Sequence, residues 1–132
     1  MTNTRVSLLA GALGSFMVIT GVTHFTRPAY YRRLVPAWVP APAMVAAASG
    51  GVDCAVGVLL LHPRTRRVGG WSTAAVITAY LPAHLDPLRV HRQGERKFLD
   101  RPTGVALRVL ANLGYIAAAT SIGRRGAAAQ LY

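Results

Sequence analysis

The chain has 132 residues, one domain by length, with 52% hydrophobic residues, 14% charged residues and a mean hydropathy of +0.34. An ordinary soluble domain has roughly a quarter of its residues charged, so this composition points to the lipid bilayer as solvent and partner. Fifteen Lys/Arg against four Asp/Glu give +11, but the basic residues cluster between apolar segments and form no stripe on a polar surface, which argues for anionic headgroups and against nucleic acid.

Four apolar segments follow one another, at about residues 6–25, 42–61, 69–85 and 104–122. Each is close to the ~17 to 25 residues a helix needs to cross ~30 Å of hydrocarbon at 1.5 Å per residue. None has a dominant polar face, so helices lying flat on a membrane are disfavoured. The first segment follows Arg5, as a cleavable signal would. Its run is long for a signal core, and no A-x-A site precedes a polar start, so it reads as a retained helix. Small residues recur at Ala10, Gly11, Gly14 and Ser15 and again at Ala46, Gly50 and Cys54, a spacing that lets helix backbones approach closely in lipid.

Between the first two segments lies "TRPAYYRRLVPAWVPAP". Its four prolines break a continuous helix, and Tyr30, Tyr31 and Trp38 with Arg32 and Arg33 have an interfacial makeup, which predicts a short interfacial helix or re-entrant turn. The short "HPRTRR" link makes the second and third helices antiparallel neighbours. The longer "DPLRVHRQGERKFLDRP" connection is polar and is expected to leave the membrane. The expected fold is therefore all-α, a four-transmembrane-helix bundle forming a single domain over residues 1–132, with both termini on one side. Six positive charges fall on the side of the termini and eight in the other two loops. The acid-free arginine clusters tight against helix ends incline the termini to the cytoplasmic side of a cell membrane.

Asp53 lies eleven residues beyond Pro42, about 16 Å of helical rise and near the bilayer midplane. An aspartate there costs roughly 2.5 to 3.5 kcal/mol on insertion scales, so it should face the interior and have a partner. Ser49, Asp53 and Gly57 recur four residues apart and form one narrow stripe that should point inward. The fourth segment carries Arg108 and Asn112 at the same spacing, starting from the same membrane face. Arg108 either reaches towards Asp53 or snorkels outward. His24 and His84, near the ends of the first and third segments, belong to that face too. His24, Asp53, His84, Arg108 and Asn112 would then line a polar funnel in one half of the bundle, with Asp53 at its floor. Each residue has a plainer reading: histidines among headgroups, Arg108 as an anchor or counter-ion, and an Asp53–Arg108 pair that merely fixes packing. Trp71 and Tyr80 read as interface or packing residues. The lone Cys54 excludes an internal disulfide and reads as packing, and no Cys/His spacing suggests a metal site.

The stretches "GVTHFTRPAYYRRLVPAWVP", "SGGVDCAVGVLLLHPRTRR", "YLPAHLDPLR" and "RVLAN", in this order and spacing, resemble the DoxX-like family of small four-helix membrane proteins. His24, Phe25, Pro28 and Tyr31 fit that family's His-Phe and its following Pro and Tyr, and Ser49 with Gly50 fits its Ser-Gly. Asp53 stands where the family usually has a glutamate, His84 where it has an asparagine, and Asn112 where a glutamine follows the arginine. The resemblance implies a membrane role associated with redox systems.

Two kinds of function are consistent with this pattern. One is an accessory membrane protein that binds a quinone, another lipophile or a partner redox subunit through the funnel, with His84, Arg108 and Asn112 contacting the bound molecule. The other is a membrane enzyme in which His24 and Asp53 move protons on a lipophilic substrate. A proton or solute relay through the same residues is a third.

Overall fold

Prolines open three of the helices. Pro28, Pro42 and Pro102 each stand at a helix start, where no intrahelical partner for the backbone N–H is needed and a fixed φ favours the first turn. The computed structural model describes residues 3–89 and 98–128, with side chains through Arg125. In chain order these form α1 (Asn3–Thr26), α2 (Pro28–Leu34), α3 (Pro42–Leu61), α4 (Arg66–Arg89), a 3-10 turn (Phe98–Asp100) and α5 (Pro102–Ala128). Every regular element among the described residues is helical.

Three of these helices, α1, α3 and α5, are long and apolar enough to cross a membrane. Helix α4 has 24 residues but is outside that set, because Trp71, Ser72, Thr73, Thr78, Tyr80 and His84 dilute its apolar character. Contrary to the expected end near Leu85, α4 runs through Pro82 and Pro87 to Arg89, so the start of the polar connection is helical. Residues 90–97, the middle of that connection, lie outside the described residues.

Helix α1 packs chiefly on α3 and α4 chiefly on α5, while α3 meets α4 and α1 meets α5 along lighter seams. The α1–α3 contact is backbone on backbone at two levels. A Cβ on Gly57 would lie 2.8 Å from the Gly14 carbonyl oxygen, and one on Gly21 would lie 2.7 Å from that of Gly50. Such separations are below van der Waals contact, so both places require glycine. The rising number in one helix meets the falling number in the other, which makes the pair antiparallel. Of the small residues predicted to pack, Gly11 faces open space and Ser15 is exposed. Gly57, expected on the inward polar stripe, lies on the α1 contact instead.

The tight α3–α4 turn makes those helices antiparallel neighbours, as its length predicts. Thr65 Oγ1 donates to the Leu59 carbonyl at 2.8 Å, and the Arg66 Nη1 donates to Ser7 Oγ at 2.9 Å, tying the turn to α1. At this end the interior is a continuous apolar core of Ala10, Leu13, Val56, Leu60, Ala119 and Ile122. The other end is hollow.

Candidate functional site

The hollow end holds a half-open cavity of about 580 Å³ between the C-terminal halves of α1 and α4 and the N-terminal halves of α3 and α5. Tyr31 and Leu34 of α2, then Val35, Pro36, Trp38 and Val39 of the following link, complete its wall. Phe16 and Tyr115 close the α1–α5 seam, their ring centroids 4.9 Å apart. His24, Asp53, His84, Arg108 and Asn112 all line this one cavity.

Each long helix brings a polar pair four residues apart: Thr20 and His24, Ser49 and Asp53, Tyr80 and His84, Arg108 and Asn112, every one in the cavity wall. Residues four apart share a helix face, so one inward-facing stripe per helix suffices to build the site. Among the α3 residues that line the cavity, Asp53 lies furthest along the helix, and it is 2% exposed.

Asp53 does not receive the partners expected from the sequence. Arg108 turns away from it: Nη2 donates to the Leu99 carbonyl and lies 3.7 Å from Asp100 Oδ1. Arg108 is on the second turn of α5, close enough to the helix start for its long stem to reach the 3-10 turn, so the outward alternative prevails. Asn112 Nδ2 donates back along its own helix to the Arg108 carbonyl at 2.7 Å. The carboxylate is met instead by Tyr80, whose hydroxyl donates to Asp53 Oδ1 at 2.9 Å and has the Ser49 carbonyl 3.4 Å away as a second acceptor. Reading Tyr80 as an interface or packing residue missed this. Its position four residues before His84, on a face already marked as polar, is the signal that identifies it.

His24 is 8% exposed and packs against Gly50 of α3. Its Nδ1 lies 2.9 Å from the Thr20 carbonyl and 3.9 Å from Asp53 Oδ2. A carbonyl only accepts, so Nδ1 carries a proton and Nε2 is the basic nitrogen of the neutral ring. Thr23 Oγ1 donates to the same carbonyl at 2.6 Å, which leaves the Tyr31 hydroxyl as donor in its 2.6 Å bond to Thr23. The Tyr31 ring stacks on His24 at a centroid distance of 3.6 Å. Helix α2 is thereby held over the site by both faces of one tyrosine: ring on imidazole, hydroxyl on α1.

The remaining predicted polar and aromatic residues are peripheral. The Cys54 thiol packs against α1 near Gly21 and the Val18 carbonyl, and Trp71 covers Gly123 on α5. Among the described residues no group of three His, Cys, Asp or Glu side chains could hold a metal ion. The cavity thus offers a carboxylate, an imidazole with a free basic nitrogen, a second imidazole and a guanidinium, set in walls built largely of Met17, Val39, Val45, Ile77 and alanines. Such a site suits a mostly apolar molecule with a few polar atoms.

The family model described as a domain of unknown function, DUF8561, matches residues 13–123, and the chain belongs to that family. No curated protein and no solved structure matches the chain.

Proposed function

We propose that the chain is a small integral membrane protein of the DoxX-like kind, in which α1, α3, α4 and α5 all cross the bilayer. Its cavity then binds a quinone or another lipophile, as an accessory to a redox system. Support for α4 as the fourth crossing lies in its length, its place between α3 and α5, and the inward placing of Thr73, Tyr80 and His84. A helix whose polar residues face protein need not be uniformly apolar to span. Helix α2 and its link are the interfacial element, with Tyr30 and Trp38 exposed beside Arg32 and Arg33. Both termini then share one side, the cytoplasmic side of the cell membrane.

The observation that carries the ligand-binding reading is the cavity itself: four helices converge their polar pairs on one space, with the proposed interfacial element in its wall. Native mass spectrometry of protein extracted in mild detergent tests it. Wild type is expected to retain a small lipophile that Ala111→Phe, which fills the cavity from an exposed position in its wall, no longer holds. Absence of any adduct, together with no binding of added lipophilic probes, would refute it.

A second reading is acid/base catalysis on the bound lipophile by His24 and Asp53. It is favoured by the Thr20 bond, which fixes the His24 ring with Nε2 as its basic atom and Nδ1 3.9 Å from the carboxylate. Turnover of a lipophilic substrate that is lost in both His24→Ala and Asp53→Asn, by far more than ligand retention falls, separates this reading from simple binding.

A further inference from the structure

Two side chains with opposite formal charges line the cavity, and they do not pair. Among the described residues Asp53 receives one hydrogen bond, from Tyr80 to Oδ1. His24 Nδ1 lies 3.9 Å from its second oxygen, with its proton directed to the Thr20 carbonyl. Arg108 has the opposite deficit. Its Nη2 serves Leu99 and Asp100, while Nε–H is buried and has no hydrogen-bond partner among the described residues.

Buried polar groups in folded proteins are nearly always matched, and an unmatched one beside a cavity calls for an occupant that matches it. Here an acceptor lacks a donor on α3, and a donor lacks an acceptor on α5. Asp100, outside the cavity wall and 3.7 Å from Arg108, already offsets the guanidinium, so an anionic occupant gains little there, and the mostly apolar wall favours a neutral one. Most of the remaining wall surface, including Met17, Val45 and Ile77, is apolar.

Resting on the reading of the cavity as a lipophile site, we propose that its occupant is a neutral lipophile with two oxygens in distinct roles. A hydroxyl donates to Asp53 Oδ2, and a second, acceptor oxygen receives a hydrogen bond from the Arg108 guanidinium. The occupant bridges two charges that do not reach each other. Hydroxyl-bearing aryl ketones and hydroquinones have this pattern. A hydrocarbon, a fully etherified analogue or a quinone without a hydroxyl lacks the donor for Asp53.

Three probes of matched size separate the two contacts: 1-(4-hydroxyphenyl)decan-1-one, its 4-methoxy ether, and 4-decylphenol, which lacks the ketone oxygen. Their binding to the full chain in mild detergent can be followed by the fluorescence of Trp38, which lines the cavity. The hydroxyketone is expected to bind about tenfold or more tighter than either of the others, the size set by one hydrogen bond to a charged group. Asp53→Asn should remove the advantage over the methyl ether, and Arg108→Lys the advantage over decylphenol. Affinities within twofold for all three probes on the wild-type protein would overturn the two-oxygen inference and leave the lipophile reading standing. Failure of all three to bind would overturn both. The wild-type comparison decides the matter even if a variant does not fold.

Discussion

The Tyr80 hydroxyl crosses from α4 to α3 to donate to Asp53 Oδ1 at 2.9 Å, the one hydrogen bond that buried carboxylate receives among the described residues. Removing a donor from a buried charged acceptor costs about 1–3 kcal/mol or more. Tyr80→Phe keeps the ring in the wall and deletes the bond, so the thermal unfolding midpoint in detergent should fall by several degrees. In an Asp53→Leu background the same change should cost little, since no carboxylate remains to be satisfied. A double-mutant cycle measures that coupling directly, and additive effects in the two backgrounds would contradict it.

The α1–α3 contact predicts opposite outcomes for two glycines of the same helix. A Cβ at Gly57 would press on the Gly14 carbonyl and the Val18 amide of α1, whereas at Gly51 nothing lies within 4 Å. Gly57→Ala should therefore destabilise by about 1–3 kcal/mol, the usual cost of overpacking against atoms that cannot move aside. Gly51→Ala should be neutral or stabilising, because alanine is the better helix former by up to about 1 kcal/mol. Thermal unfolding of the two variants side by side checks the sign of each.

The helices and the cavity differ in how far the sequence discloses them. Apolar length locates α1, α3 and α5 within a few residues, since crossing or lining an apolar medium is a property of a whole segment. The cavity's residues are legible as well, because His24, Asp53, His84, Arg108 and Asn112 stand at depths and spacings that favour one interior face. Their partners are not. Whether Arg108 turns inward to Asp53 or outward to Leu99 and Asp100 depends on a few ångströms of stem and on the 3-10 turn before α5, which no periodicity encodes. Tyr80 has the body of an interfacial aromatic, and only the orientation of α4 against α3 puts its hydroxyl on Asp53. The end of α4 escapes for a related reason: proline at 82 and 87 signals a break, yet the helix continues to Arg89.

Thr73 is fully buried and its hydroxyl has no hydrogen-bond partner among the described residues. Thr78 and Thr120, by contrast, donate to carbonyls four residues back at 2.7 Å. Valine has nearly the shape of threonine without the polar atom. Thr73→Val should therefore stabilise by about 1 kcal/mol, the penalty of an unmatched buried hydroxyl, while Thr120→Val should be neutral or mildly destabilising because it removes a made bond. An unfolding midpoint that falls for Thr73→Val would show that the hydroxyl is matched by something else, such as an internal water.

Ala41 joins the link over the cavity to α3, and its backbone is left-handed, at φ 52° and ψ 58°. An L-residue in that conformation is strained by roughly 1–2 kcal/mol relative to a right-handed one. The following Pro42 sharpens the conflict, because a residue before proline is biased towards extended backbone. Glycine relieves the strain, offset by about 0.4–1 kcal/mol of additional freedom in the unfolded chain. The side chain at this position is exposed, so backbone conformation dominates the outcome. Ala41→Gly is expected to raise the unfolding midpoint by a few degrees, and Ala41→Val, whose branched Cβ tolerates positive φ worst, to lower it. The reverse order would mean that the turn into α3 is extended at Ala41, and the path of the Trp38 link over the cavity would differ accordingly.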